Sequence, residues 1–183
     1  MRWIAAAPVD AALLARAAHT RIAIFDVDGV MTDGSLHYSA QGEEMKVFSV
    51  LDGHGLKMLQ ESGVEVAIIS GRASDALARR AKDLQITQLF MGVSGKRAVF
   101  EQLLQSLSID AADAAGLGDD IVDLPFLSRC GFSACVPDAP SYMHGEVHYV
   151  TQARGGAGAV REFCEVIMHA QGKLDAVLQK YLE

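Results

Sequence analysis

Short unbroken apolar runs along the chain each stop at a polar residue. Ile22-Ala23-Ile24-Phe25 stops at Asp26, residues 64–69 stop at Ser70-Gly71, and the weaker run 114–117 stops at Gly118-Asp119-Asp120. Runs of this kind suit strands covered on both faces. Leu89-Phe90-Met91 reads as another short strand, and 132–136 and 147–151 as two more. Between them the spacing predicts helices over 11–18, 56–61, 74–84 with Ser74 as the N-cap, 97–107, 121–127 interrupted by Pro125, and 160–181 with a break at Gly172. Residues 36–38 and 45–50 flank Ala40-Gln41-Gly42-Glu43, which predicts a β-hairpin turning at Gly42.

Strands alternating with helices predict an α/β fold, a parallel Rossmann-like sheet with helices on both faces. The chain has 183 residues and no repeat, low-complexity tract or linker, so 1–183 reads as one domain, with 155–183 a helical tail. The formal charge of −7 and the lack of a basic run argue against nucleic acid or an anionic membrane as partner. The apolar start is broken by Pro8 and Asp10, too short for a signal-peptide core, and no run is long enough to span a bilayer, so a cytoplasmic location is expected. Cys130, Cys135 and Cys164 have neither the number nor the spacing of a disulfide framework and read as plain buried thiols.

In such folds the ligand sits at the carboxyl ends of the strands. Those ends here carry Asp26-Val27-Asp28-Gly29, then Ser70-Gly71-Arg72, then Ser94-Gly95-Lys96, then Gly118-Asp119-Asp120 with Asp123 beyond. Several carboxylates in one cleft stay ionised together only when a cation compensates them. Oxygen ligands without a His/Cys set favour magnesium, and none of the six scattered histidines falls within these four stretches. Lys96 and Ser70 then serve an anion that also touches the metal, and a phosphate satisfies all three. Asp26 and Asp28 are two residues apart on an extended segment and share a face. One can ligate metal and attack phosphorus, giving an aspartyl-phosphate; the other can protonate the leaving oxygen and then activate water.

Asp26-Val27-Asp28-Gly29-Val30, Ser70, Lys96 and Gly118-Asp119-Asp120-Ile121-Val122-Asp123 resemble, in order, the four motifs of the haloacid dehalogenase (HAD) superfamily. The resemblance implies that Asp26 is the nucleophile, Asp28 the acid–base, Ser70 and Lys96 the phosphoryl-binding pair, and Asp26, Asp28 (through its carbonyl) and Asp119 the magnesium ligands. Asp120 and Asp123 are left as supporting or lysine-orienting residues. The gaps between motifs hold only the hairpin and single helices, so no cap domain is expected, and the hairpin acts as a flap.

From Arg21 to about Leu178 the chain further resembles the 3-deoxy-D-manno-octulosonate 8-phosphate (KDO 8-phosphate) phosphatases, through Asp33-Gly34, the 42–46 and 50–55 stretches, 65–72 and 155–162. That resemblance implies a sugar-phosphate site lined by Ser49, Val50, Leu51, Asp52, Gly53, Lys57, Ser70, Gly71, Arg72, Arg80 and Lys96. It also implies a homotetramer whose hairpins form a barrel and whose tails reach a neighbour's cleft, and a role in lipopolysaccharide sugar synthesis. Some members have arginine where this chain has Leu51, asparagine at Ser49 and arginine at Ala157. An acidic sugar phosphate agrees with the charges: Arg72, Arg80, Lys57 and Lys96 offer local positive charge on an acidic protein.

Other readings stand beside this one. A phosphatase for a nine-carbon, sialic-acid-type 9-phosphate uses the same keto-acid end. A non-catalytic oligomerisation module is opposed by the intact Asp26, Asp28, Lys96 and Asp119. A phospho-accepting receiver domain would place its nucleophile on a later strand. Taken singly, Lys57, Arg72 and Arg80 also fit solvated helix faces or surface ion pairs, His54 a structural role, and Gly155 to Gly158 a loop contact rather than a phosphate cradle.

Overall fold

A computed structural model describes residues 9–180. The reading of residues 1–8 and the helix end at Tyr181 lie outside the described residues. In chain order the elements are α1 (Ala11–Ala17), β1 (Ile22–Phe25), β2 (His37–Ser39), β3 (Gly42–Met45), α2 (Val50–Glu61), β4 (Glu65–Ile69), α3 (Asp75–Asp83) and β5 (Gln88–Phe90). There follow α4 (Lys96–Leu107), β6 (Ala114–Gly118), α5 (Leu124–Leu127), β7 (Phe132–Cys135), β8 (Tyr149–Val150), α6 (Ala159–Ala170) and α7 (Leu174–Gln179).

Six strands form one parallel sheet in the order β5-β4-β1-β6-β7-β8, and β2 and β3 form a separate antiparallel hairpin. All four residues of β1 and all five of β6 are buried, as unbroken apolar strands between two helical layers must be. Phe163 of α6 meets Phe25 edge-on at 5.8 Å and stacks on Phe132 at 5.0 Å, which seats α6 across β1 and β7. Phe100 of α4 packs on Phe126 of α5, with ring centroids 6.0 Å apart.

Register is what positions the site. Phe25 is level with Ile68 on β4 and Leu117 on β6. The chain therefore leaves three adjacent strands at one height, through Asp26, Ser70 and Asp119, at the point where the strand order switches direction.

Four element boundaries differ from the expectations. The second hairpin strand ends at Met45, and 46–49 is loop. The turn falls on Ala40-Gln41, and Gly42 opens β3 with φ +121°. Helix α2 begins at Val50, six residues before the expected 56, because Ser49 Oγ caps it by accepting from the Asp52 N–H at 3.3 Å. Gly53 and Gly55 hid that first turn from a propensity reading, yet the packing demands them. A Cβ on Gly55 would lie 2.9 Å from Cα of Arg161 on α6, and one on Gly53 2.1 Å from the Arg80 guanidinium.

Pro125 does not interrupt a helix; it opens one. It sits in the first turn of α5, where its missing N–H costs nothing. The chain before it turns because Asp123 accepts from the backbone of Asp119 and Asp120. Gly172, with φ +66°, separates α6 from α7. Val160, Phe163, Cys164, Val166, Ile167 and Met168 of α6 are fully buried, so this segment supplies part of the core.

Candidate active site

The strand-end residues converge on one cleft of about 460 Å³, lined among others by Asp26, Asp28, Ser70, Gly71, Arg72, Lys96 and Asp119. Asp26 continues the β1 ladder by donating its N–H to Leu117 O at 3.0 Å. Its side chain is buried, and Oδ1 accepts from Lys96 Nζ at 2.5 Å. Lys96 is the first residue of α4, and the same Nζ donates to Asp123 Oδ1 at 2.5 Å. Burial works against the Lys96 ammonium, but Asp26 and Asp123 outweigh it and raise its pKa above the ordinary lysine value.

The acids around Lys96 are more numerous than its single charge can neutralise. Burial, reinforced by the Asp123 charge, pushes the Asp26 carboxyl up to about 6 against the pull of Lys96. Burial, with Asp26 and Asp123 close by, pushes Asp119 up to about 8. Oxygens of Asp26, Asp119 and Asp123 lie within 4.8 Å of one another. An all-oxygen cluster with surplus negative charge fits a hard divalent cation such as magnesium. Asp123 is already engaged: its other oxygen, Oδ2, accepts from the Asp119 and Asp120 N–H groups at 3.0 and 3.3 Å. Asp26 and Asp119 are therefore the side chains with capacity for the ion.

Gly29 shows how tightly this corner is built. Its φ is +91°, and a Cβ there would lie 2.1 Å from Asp119 Oδ2. The glycine-rich loop before α6 closes the same corner from behind. The Gly156 N–H donates to Val30 O at 2.9 Å, and a Cβ on Gly155 would lie 1.8 Å from Gly29 O. Glu162, buried in α6, fixes that loop by accepting from Gln152 N, Ala153 N and Tyr149 Oη.

Ser70 is buried at the end of β4, where its Oγ accepts from the Arg72 N–H at 3.2 Å. Arg72 leans toward the hairpin flap: it donates to Tyr38 Oη at 2.5 Å, and its Nε lies 3.8 Å from Asp28 Oδ2. The resemblance did not single out Lys46 as a site residue. It pairs with Asp28 from the loop after β3, a contact across a hairpin that no local sequence signal announces.

The remaining expected residues lie elsewhere within the chain. Ser49 caps α2, while Val50 and Leu51 project into solvent, 84% and 54% exposed. Lys57 is exposed on α2. Arg80 lies over the Phe48 ring and donates to Ser49 O at 2.9 Å, beside a second cavity of about 630 Å³ that Lys46, Phe48, Asp75 and Arg79 also line. Asp52 is buried and turned toward α6, where its carboxylate accepts from Gly158 N at 3.2 Å and Arg161 N at 2.9 Å. Gly53 packs under Arg80.

No protein-family model matches the chain. Individual relatives do. The 3-deoxy-D-manno-octulosonate 8-phosphate phosphatase KdsC of Yersinia pestis is 44% identical over 168 residues, 92% of this chain and 90% of that protein. The chain belongs to the KDO 8-phosphate phosphatase family. The crystal structure of a KDO 8-phosphate phosphatase from Yersinia pestis matches with a TM-score of 0.90, covering 92% of this chain and 91% of that one. Another member of the family, from Moraxella catarrhalis in complex with magnesium ion, phosphate ion and KDO, matches at 38% identity and TM-score 0.90, covering 92% and 97% of the two chains.

Proposed function

We propose that the protein is a magnesium-dependent phosphatase that hydrolyses KDO 8-phosphate to KDO and inorganic phosphate through an aspartyl-phosphate on Asp26. The observation that carries this reading is the convergence of Asp26, Asp28, Ser70, Lys96 and Asp119 on one cleft, in a chain whose relatives over nine-tenths of its length are KDO 8-phosphate phosphatases. The magnesium, phosphate and KDO in the Moraxella catarrhalis structure support the same cofactor and substrate here.

Asp26, Asp119 and the Asp28 carbonyl would hold the metal. Magnesium, when bound, supplies positive charge that offsets the carboxylates and the phosphoryl oxygens. Lys96 and Ser70 orient the phosphoryl group. The Asp26 carboxylate attacks phosphorus, the bond from phosphorus to the sugar oxygen breaks, and that oxygen takes a proton from Asp28. Water then attacks the same phosphorus and yields its proton to Asp28. The bond to Asp26 breaks and inorganic phosphate departs.

A homotetramer in the cytoplasm belongs to this reading. Leu36, Tyr38, Met45, Val47, Val50 and Leu51 form an exposed apolar rim around the hairpin and the start of α2, and association would cover it. In that arrangement a neighbour's Ser49 to Gly53 segment, outside the cleft of its own chain, would close the sugar end. No helix among the described residues is long and apolar enough to cross a membrane.

The test is phosphate release from KDO 8-phosphate, with magnesium and with excess chelator, for wild type and Asp26→Asn. Magnesium-dependent release that falls by about 10⁴-fold or more in the variant is expected. Release from other esters but not from KDO 8-phosphate sinks the substrate assignment and leaves the mechanism.

A further inference from the structure

Lys46 puts a buried ammonium on the carboxylate that has to move a proton. Its side chain is 2% exposed, and it pairs with Asp28 Oδ1 from the loop that leaves β3. A lysine of the hairpin base has solvent available to it, and burying an ammonium is unfavourable unless a partner compensates. Asp28 is a compensating partner here, and Arg72 faces the same carboxylate at 3.8 Å, through Oδ2. The hairpin is tied to the cleft a second time through Tyr38 on β2, whose Oη accepts from Arg72 and whose ring centre lies 5.9 Å from the guanidinium carbon. Strand β2 and the loop that leaves β3 thus each send one contact to the rim that carries Asp28.

We infer that Lys46 is a positioning residue for the acid–base carboxyl. It takes Oδ1, which fixes the side-chain rotamer and leaves Oδ2 as the oxygen that exchanges the proton. The same contact holds Asp28 in place to accept the proton of the attacking water. The hairpin then does more than shield the cleft: its seating decides whether Asp28 is aligned. This inference rests on the acid–base role proposed above for Asp28.

Leaving-group dependence separates it from a packing role. The value of kcat/KM reports phosphoryl transfer to Asp26. With an alkyl phosphate that step needs a proton on the leaving oxygen; with p-nitrophenyl phosphate it does not. Lys46→Met, compared with wild type at saturating magnesium, should lose about 10²-fold in kcat/KM on KDO 8-phosphate and less than about five-fold on p-nitrophenyl phosphate. Lys46→Arg should recover most of the alkyl-ester rate. Equal losses on both esters, or no loss on either, would overturn the inference. Lys46→Gln serves the same comparison if the methionine variant does not fold, as judged by its melting temperature. Asp28→Asn is the control for the underlying reading: if it keeps the alkyl-ester rate, the acid–base assignment fails, and the positioning role with it. A wild type that ignores KDO 8-phosphate but cleaves another alkyl phosphate sinks only the substrate, and that ester then takes its place.

Discussion

Lys96 and Asp123 meet at 2.5 Å with the Asp123 side chain wholly out of solvent, 27 residues apart in sequence. Asp123 uses both oxygens, one on the lysine and one on the backbone N–H groups of Asp119 and Asp120. It therefore fixes the lysine and the acidic turn with one carboxylate. Asparagine has one acceptor and one donor, so in either flip its NH₂ faces a donor. Asp123→Asn is expected to lower stability by about 3 kcal/mol and kcat by about 10²-fold. Urea denaturation and steady-state kinetics check both, and a variant with wild-type kcat would show that Lys96 needs no such support.

The acid surplus makes magnesium binding a competition with protons. Asp119 sits at about 8 and Asp26 at about 6 in the metal-free fold, against an ordinary value of 3.8. Between roughly pH 4 and pH 8 the folded metal-free protein therefore holds protons that the unfolded chain has released, so its stability falls as pH rises through that window. Magnesium displaces those protons, so the rise in melting temperature on adding it should be small at pH 5 and largest near pH 8. Calorimetry at pH 7 in two buffers of different ionisation enthalpy should register proton release on binding. A magnesium-induced rise that is flat from pH 5 to pH 8 contradicts this account.

The sheet and the strand-end acids were legible because local patterning encodes them. An apolar run that stops at Asp26 or Ser70 announces both a buried strand and its functional end. What escaped depends on distant packing. The first turn of α2 carries Gly53 and Gly55, which read locally as helix breakers; the reason for them is Arg80 in one case and Arg161, more than a hundred residues away, in the other. Lys46 escaped because its partner is set by how the hairpin folds back, and Pro125 misled because the turn before it is made by a side chain, Asp123.

Gly29 offers a way to disturb the metal corner while leaving the reacting groups in place. Any side chain there meets Asp119 Oδ2 and has to adopt φ +91°. Gly29→Ala should cost about 1–2 kcal/mol of stability through the strained backbone. It should weaken magnesium binding by at least about ten-fold by displacing Asp119. Titration of activity with magnesium decides the point: an unchanged half-saturation would mean that Asp119 can yield without losing the ion.

Asp52 lies in the stretch that resemblance assigns to the sugar-phosphate site, yet its carboxylate accepts from Gly158 N and Arg161 N at the start of α6. Gly158, the N-cap, has no side chain to do this itself, so α2 caps α6 across the core. Burial raises the Asp52 pKa, and the two backbone donors oppose that rise. The predominant effect of Asp52→Ala should therefore be structural: a loss of about 2 kcal/mol, with the glycine-rich loop that rests on Gly29 loosened as well. Asp52→Asn keeps one acceptor and should lose about half as much. Denaturant unfolding and the Michaelis constant for KDO 8-phosphate are read together. A large rise in KM with unchanged stability would place Asp52 on the substrate; a stability loss with a modest kinetic change would place it at the helix terminus.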